Sequence, residues 1–222
     1  MKKEKFGGAS KLGGSILHPL EKKIVPIVVP HIPKSIETYH LTLTTILWSA
    51  MILVFSWLAR TNIHWLWGVS VMILFQYITD LLDGAVGRYR DTGLVKWGFY
   101  MDHFLDYIFL ASLIIGYAFI FPEGYNYSLM FVFMLFAGFM VHSYLGFAAS
   151  NQFKISYLGI GPTEVRLIFI IINTLLIFLG RTYMAVTLPY ILGFAFLGLC
   201  VVSFRTQMYL WKIDMDEKKR RK

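Results

Sequence analysis

The sequence predicts an all-α integral membrane protein: a bundle of six transmembrane helices preceded by an interfacial amphipathic segment. Three observations predict it. Of the 222 residues, 57% are hydrophobic and 15% are charged, against about 25% charged in a typical water-soluble domain. Six apolar stretches are long enough to cross a hydrocarbon core, which takes about 20 helical residues. The formal net charge of +8 sits in tails, short loops and helix ends, which is the pattern of an orienting charge bias and excludes a nucleic-acid-binding face.

The elements follow in order. Residues 1–35 form a cytosolic or interfacial N-terminal segment. Within it, 12–33 (LGGSILHPLEKKIVPIVVPHIP) mixes apolar residues with lysines and prolines. It is too interrupted to span and reads as an amphipathic stretch in the membrane interface. Pro19, Pro26 and Pro30 also break any continuous apolar core of a cleavable signal peptide. The spanning domain occupies 36–211, with spans near 40–60, 64–86, 98–121, 126–148, 164–181 and 185–210. Turn-like or polar breaks such as ARTNIH, PEGYN and GRTYM separate them. Residues 212–222 are a basic cytosolic tail. A cytosolic N-terminus leaves only Arg60 and Arg181 on the far side, and an even number of spans returns the C-terminus to the cytosol. The single Cys200 excludes an intramolecular disulfide.

Against this background the stretch DLLDGAVGRYRDTGLVKWGFYMDHFLD, residues 80–106, stands out. Carboxylates are costly near hydrocarbon and mark function by default. Asp80 and Asp83 close the second span, while Asp102 and Asp106 open the third. Spacings of three and four put each pair on one helix face, so two antiparallel helices can converge four carboxylates on one point. Like charges in a half-buried pocket need cations, and hard divalent ions with oxygen ligands, Mg²⁺ above all beside phosphates, satisfy them. Gly84, Gly87 and Gly98 remove side chains beside the acids, and Arg88 supplies a planar fork suited to phosphate oxygens. Together these residues describe a cytosol-facing pyrophosphate site. A cation channel or transporter is the rival from another class, but the acids all lie at one end of the spans, which makes a mouth and not a pathway.

The spacing resembles the signature of the CDP-alcohol phosphotransferase family, Asp-x-x-Asp-Gly-x-x-Ala-Arg followed after a spacer by Gly-x-x-x-Asp-x-x-x-Asp. The matching residues are Asp80, Asp83, Gly84, Arg88, Gly98, Asp102 and Asp106, with nine residues between Arg88 and Gly98 and with Gly87 at the alanine position. The start of the first span, ETYHLTLTTI, shares only Leu41 and Thr42 with the family's Pro-Asn-x-Leu-Thr. The resemblance implies transfer of a CDP-linked group to an alcohol with release of CMP. It implies Mg²⁺ or Mn²⁺ as a pair of ions on Asp80, Asp83, Asp102 and Asp106, with Gly84, Arg88 and Gly98 framing the nucleotide beside Asp80 and Asp83. It further implies a homodimer, and in the wider family Asp106 is the base.

Two stretches are similar to the choline/ethanolamine phosphotransferase branch: GIGPTEVRLIFIIINTLLIFLG, residues 159–180, and MDHFLD. That likeness implies diacylglycerol as the lipid acceptor of CDP-choline or CDP-ethanolamine, with His103 and Glu164 helping to deprotonate its hydroxyl. A Glu–His pair in a half-dry cavity suits general base work. Glu164 also sits in a first helical turn, where a carboxylate favours the dipole anyway. Phosphatidyl transfer from CDP-diacylglycerol to a soluble alcohol or alcohol phosphate is the alternative within the family. His142 and Tyr144 read as packing or tunnel-lining polar groups, and His18, His31, His40 and His64 as interfacial.

Overall fold

The computed structural model describes residues 11–12, 15–92, 94–154, 156–157 and 159–221. Residues 1–10 of the predicted N-terminal segment and Lys222 of the tail lie outside them. Helix dominates, as predicted. A two-residue parallel pairing of Lys11–Leu12 with Phe153–Lys154 brings the N-terminal segment beside the loop before the fifth span.

Helix α1 covers His18–Val28, with Pro19 in its first turn and Pro26 inside it, and a 3₁₀ turn continues over Val29–His31. No residue of α1 is buried, and Leu20, Ile24 and Ile27 stand exposed on it. Six further helices follow: α2 (Thr38–Leu58), α3 (Leu66–Arg90), α4 (Val95–Ile120), α5 (Asn126–Ser150), α6 (Pro162–Leu179) and α7 (Arg181–Arg220). All six are long and apolar enough to cross a membrane.

Several helix ends lie beyond the hydropathy boundaries. Helix α3 runs past 86 to Arg90, α4 begins at Val95 instead of 98, and α7 continues to Arg220 through the stretch assigned to the tail. Hydropathy marks only what suits hydrocarbon, whereas Arg, Lys, Glu and Met propagate helix in water equally well. Helix α3 stops at Asp91, whose φ of 53° is left-handed, and α5 stops in the same way at Asn151 (φ 54°). Short polar side chains tolerate that conformation, which ends helices.

Helix α2 packs against both α3 and α4, α6 lies against α3, and α5 pairs with α7. Ile52, Leu66, Ile73, Leu113 and Leu176 are fully buried at the centre. A polar chain crosses this core: the Tyr117 hydroxyl donates to Asn173 Oδ1 (2.8 Å), and Asn173 Nδ2 donates to Ser70 Oγ (3.1 Å). With no water in hydrocarbon, such groups must satisfy one another, and so they tie α3, α4 and α6 together.

Helices α2 and α4 approach closely at Gly116, where an added Cβ would meet Ser56 Oγ and would lie 2.9 Å from its Cβ. Small residues permit such contacts in membranes. Gly116→Ala is therefore expected to cost about 1–3 kcal/mol by overpacking, read as a lower unfolding temperature in detergent and partly restored by Ser56→Ala. An unchanged unfolding temperature would exclude the close approach.

Candidate active site

The last turns of α3 and the first turns of α4, joined by residues 91–94, carry the acids of the predicted motif. Their convergence is more structured than a single point. Asp80, Asp83 and Asp102 place carboxylate oxygens within 4.8 Å of one another, and Asp102, His103 and Asp106 form a second group under the same limit. Asp102 belongs to both. The donors of the first group are all carboxylate oxygens, the ligand set of a hard divalent cation. Thr42, from α2, donates through Oγ1 to Asp83 Oδ2 (2.8 Å) and orients it.

Arg166 of α6 enters between the acids. It is only 5% exposed, and its Nη2 lies 3.0 Å from Asp80 Oδ2 and 3.1 Å from Asp106 Oδ1. Its Nε donates to Gln76 Oε1 (2.6 Å), and Gln76 Nε2 reaches Asp106 Oδ1 at 3.5 Å. The guanidinium plane is thus held from two sides.

Beside the acids opens a cavity of about 580 Å³. Asp80, Asp83, Gly84, Arg88, Gly98, Asp102, His103 and Glu164 all line it, whereas Asp106 lies off its wall against Arg166. The two signature glycines do different things. An added Cβ at Gly98 would meet nothing within 4 Å, so that side is open to a ligand. One at Gly84 would lie 3.2 Å from an Arg88 Nη1, so that glycine lets the Arg88 side chain fold back over its own helix. Arg90 turns away and donates to the carbonyls of Ile36 (2.7 Å), Ile32 (2.8 Å) and Pro33 (3.2 Å), pinning the approach to α2.

His103 is buried, with Nδ1 3.3 Å from Asp102 Oδ2. Its ring stacks on Phe153 (4.7 Å between centroids) and Tyr144 (5.6 Å) and meets the edge of Phe99 (4.5 Å). Aromatic walls fix the ring, and the carboxylate fixes its rotation. Tyr144, which reads from sequence as a packing or tunnel-lining polar group, also donates to the His103 carbonyl (3.3 Å). His142 contacts Thr206 Oγ1 at 3.1 Å.

Glu164 begins α6 after Pro162. Its Oε2 accepts the Gly161 N–H (2.8 Å), and its Oε1 accepts the Ile16 N–H (2.6 Å). The first bond caps the helix. The second draws the N-terminal segment over the site, where Glu21 Oε1 accepts from Tyr77 (2.7 Å) and Ser15 (2.9 Å). Ser15, His18 and Glu21 consequently line the cavity.

Sequence reasoning missed Arg166, Gln76, Tyr77 and this N-terminal wall. For Arg166 a signal existed, since a cation inside an apolar helix is functional by default. It was obscured by lying near the helix start among residues read as the cytosolic end. Nothing local to His18 or Glu21 distinguishes them from other polar residues of an interfacial helix.

A family model described as CDP-alcohol phosphatidyltransferase matches residues 40–202, which include all four acids, His103, Glu164 and Arg166. No curated protein matches the chain.

Proposed function

Because the chain belongs to the CDP-alcohol phosphatidyltransferase family, we propose that it transfers a phospho-alcohol group from CDP-choline or CDP-ethanolamine to diacylglycerol, releasing CMP at the cytosolic side of the membrane. The observation that carries the choice of acceptor is the charge of the cavity wall. Among the described residues lining it, Arg88 and Arg166 are the only arginines and no lysine is present. Arg166 is bound to Asp80 and Asp106, which leaves Arg88 for the phosphates of the nucleotide and, among the described residues, no basic cluster for a phosphorylated acceptor. A neutral hydroxyl suits such a wall, and it needs a base.

Glu164 and His103 line the same cavity as the acids and take that role. The acceptor oxygen attacks the phosphorus that bears the alcohol, the bond from that phosphorus to the CMP oxygen breaks, and the hydroxyl proton passes to the Glu164/His103 pair. Gly98 leaves room for the nucleotide, and Arg88 faces its pyrophosphate. Asp80, Asp83 and Asp102, with Asp106 beside them, are the residues to hold Mg²⁺ or Mn²⁺. When bound there, the metal supplies charge neutralisation for the pyrophosphate and the leaving nucleotide. The family's own description, phosphatidyltransferase, favours a second reading, in which CDP-diacylglycerol gives its phosphatidyl group to a soluble alcohol or alcohol phosphate with Asp106 as base.

Purified protein supplied separately with CDP-choline, CDP-ethanolamine (each with diacylglycerol) and CDP-diacylglycerol (with soluble alcohols and alcohol phosphates) distinguishes these readings by CMP release. Turnover with the first two is expected; turnover with CDP-diacylglycerol alone would establish the second. EDTA is expected to stop the reaction and Mg²⁺ or Mn²⁺ to restore it. Activity that persists after exhaustive dialysis against EDTA would remove the metal from the account.

A further inference from the structure

We infer that residues 15–21 are a working part of the active site and that Glu21 is a positioning residue for Glu164. Glu21 acts through a hydrogen-bonded bridge that runs along the cavity wall from α3 to the first turn of α6. This rests on the reading of Glu164 as part of the base.

On α3 the Tyr77 hydroxyl donates to Glu21 Oε1 (2.7 Å), and Ser15 Oγ donates to the same oxygen (2.9 Å). The next residue, Ile16, gives its backbone N–H to Glu164 Oε1 (2.6 Å). Tyr77, Glu21, Ser15 and Glu164 all line the one cavity. Tyr77 precedes Asp80 by three residues and shares its helix face, so the bridge ties the helix that carries the first acids to the base. Arg166 already joins α6 to α3 through Asp80 and Gln76. What the bridge adds is the second donor to Glu164. The Gly161 N–H holds Oε2 (2.8 Å), and one bond alone lets a long carboxylate side chain swing about that contact. The Ile16 N–H on Oε1 removes that freedom. The two donors take two of the carboxylate's roughly four acceptor positions, which leaves room for the proton of an incoming hydroxyl. The Ile16 side chain is 72% exposed, so its backbone and not its packing serves the site. Residues 15–21 precede the stretch that the family model matches, 40–202, so this device belongs to the N-terminal segment of this chain.

The test is CMP release by full-length variants in detergent, supplied with CDP-ethanolamine and diacylglycerol, or with CDP-diacylglycerol and soluble alcohols where only that pair is turned over. Beside it, EPR follows the mobility of a spin label on Leu20→Cys, a position 54% exposed, in a Cys200→Ser background because Cys200 is exposed. Glu21→Ala is expected to lower kcat by about 10–100-fold, the order lost when a reacting group is misplaced by about 1 Å. KM for the CDP-linked donor is expected to stay unchanged, and the label to loosen. Tyr77→Phe, which keeps the ring and loses the donor, is expected to act in the same direction. Glu21→Gln keeps an oxygen that accepts two bonds and is expected to retain most of the turnover. In a Glu164→Gln background Glu21→Ala is expected to cost little more, because residues in one network do not add. A loss in Glu21→Gln equal to that in Glu21→Ala assigns the effect to charge and overturns the inference. A fully additive loss in the Glu164→Gln background, or a label that stays immobile in both Glu21→Ala and Tyr77→Phe, overturns it as well. If Glu164→Gln turns over normally while Glu21→Ala loosens the label and lowers kcat, the base reading fails alone and the N-terminal segment keeps its place in the site.

Discussion

Asp83→Asn is expected to abolish CMP release while the protein stays folded in detergent. The substitution removes one charge from the trio formed with Asp80 and Asp102, whose oxygens lie within 4.8 Å of one another. Its shape is retained, and the asparagine carbonyl can still accept the Thr42 hydroxyl that now bonds Asp83 Oδ2 at 2.8 Å. In the metal-free protein, removal of one of several crowded carboxylates relieves repulsion, so stability should not fall. A metal at a phosphoryl centre is worth several kcal/mol of charge stabilisation, which corresponds to roughly 10³-fold or more in rate. The measurement is CMP release under saturating Mg²⁺, beside a thermal unfolding curve. Full activity in a folded Asp83→Asn protein would end the assignment of this cluster to metal. Thr42→Val serves as the companion: the carboxylate keeps its charge but loses its orienting donor, so a partial loss is expected.

The second large effect concerns the base. Glu164→Gln and His103→Ala are each expected to lower turnover by roughly 10²–10⁴-fold, the usual worth of general base catalysis, with nucleotide affinity little changed. Asp80→Ala is expected to weaken nucleotide binding as well, because it removes part of the metal platform and one partner of Arg166. Glu164 has a second role that the experiment must separate. Its two oxygens accept from Gly161 and Ile16, and glutamine keeps only one such acceptor. Unfolding temperature measured on the same samples reports the loss of that cap, while the ratio of turnover to CDP-ethanolamine affinity reports the chemistry. His103→Ala likewise leaves a gap between Phe153, Tyr144 and Phe99, so His103→Gln is the variant that keeps bulk and polarity without the imidazole. If both positions tolerate substitution with normal turnover, the aminoalcohol reading loses its mechanism. Phosphatidyl transfer with Asp106 as base would then replace it.

How much of this was legible beforehand differs from residue to residue. Asp80 with Asp83, and Asp102 with Asp106, are three and four apart, and the helical repeat alone puts each pair on one face. Their junction across residues 91–94 needs only two consecutive antiparallel helices. The six spans are as plain, because the cost of placing a stretch in hydrocarbon is summed along that stretch and needs no knowledge of its neighbours. Helix ends were less legible where polar helix formers carry α3 and α7 past the apolar boundary. Hydrophobicity does not record the end of such a helix.

The amino-acid sequence by itself therefore determined the all-helical bundle, its six spans, and the order of the acids along them, all of which follow from local composition and a period of 3.6 residues. Only the tertiary structure decided that Arg166 sits against Asp80 and Asp106, and that Asp106 lies off the cavity wall. It also decided that Ile16 reaches Glu164 across 148 positions. Such contacts depend on which helix faces meet and how closely. Side-chain volumes at places such as Gly116 against Ser56 set that approach, and many pairings of six apolar helices satisfy the same hydropathy profile.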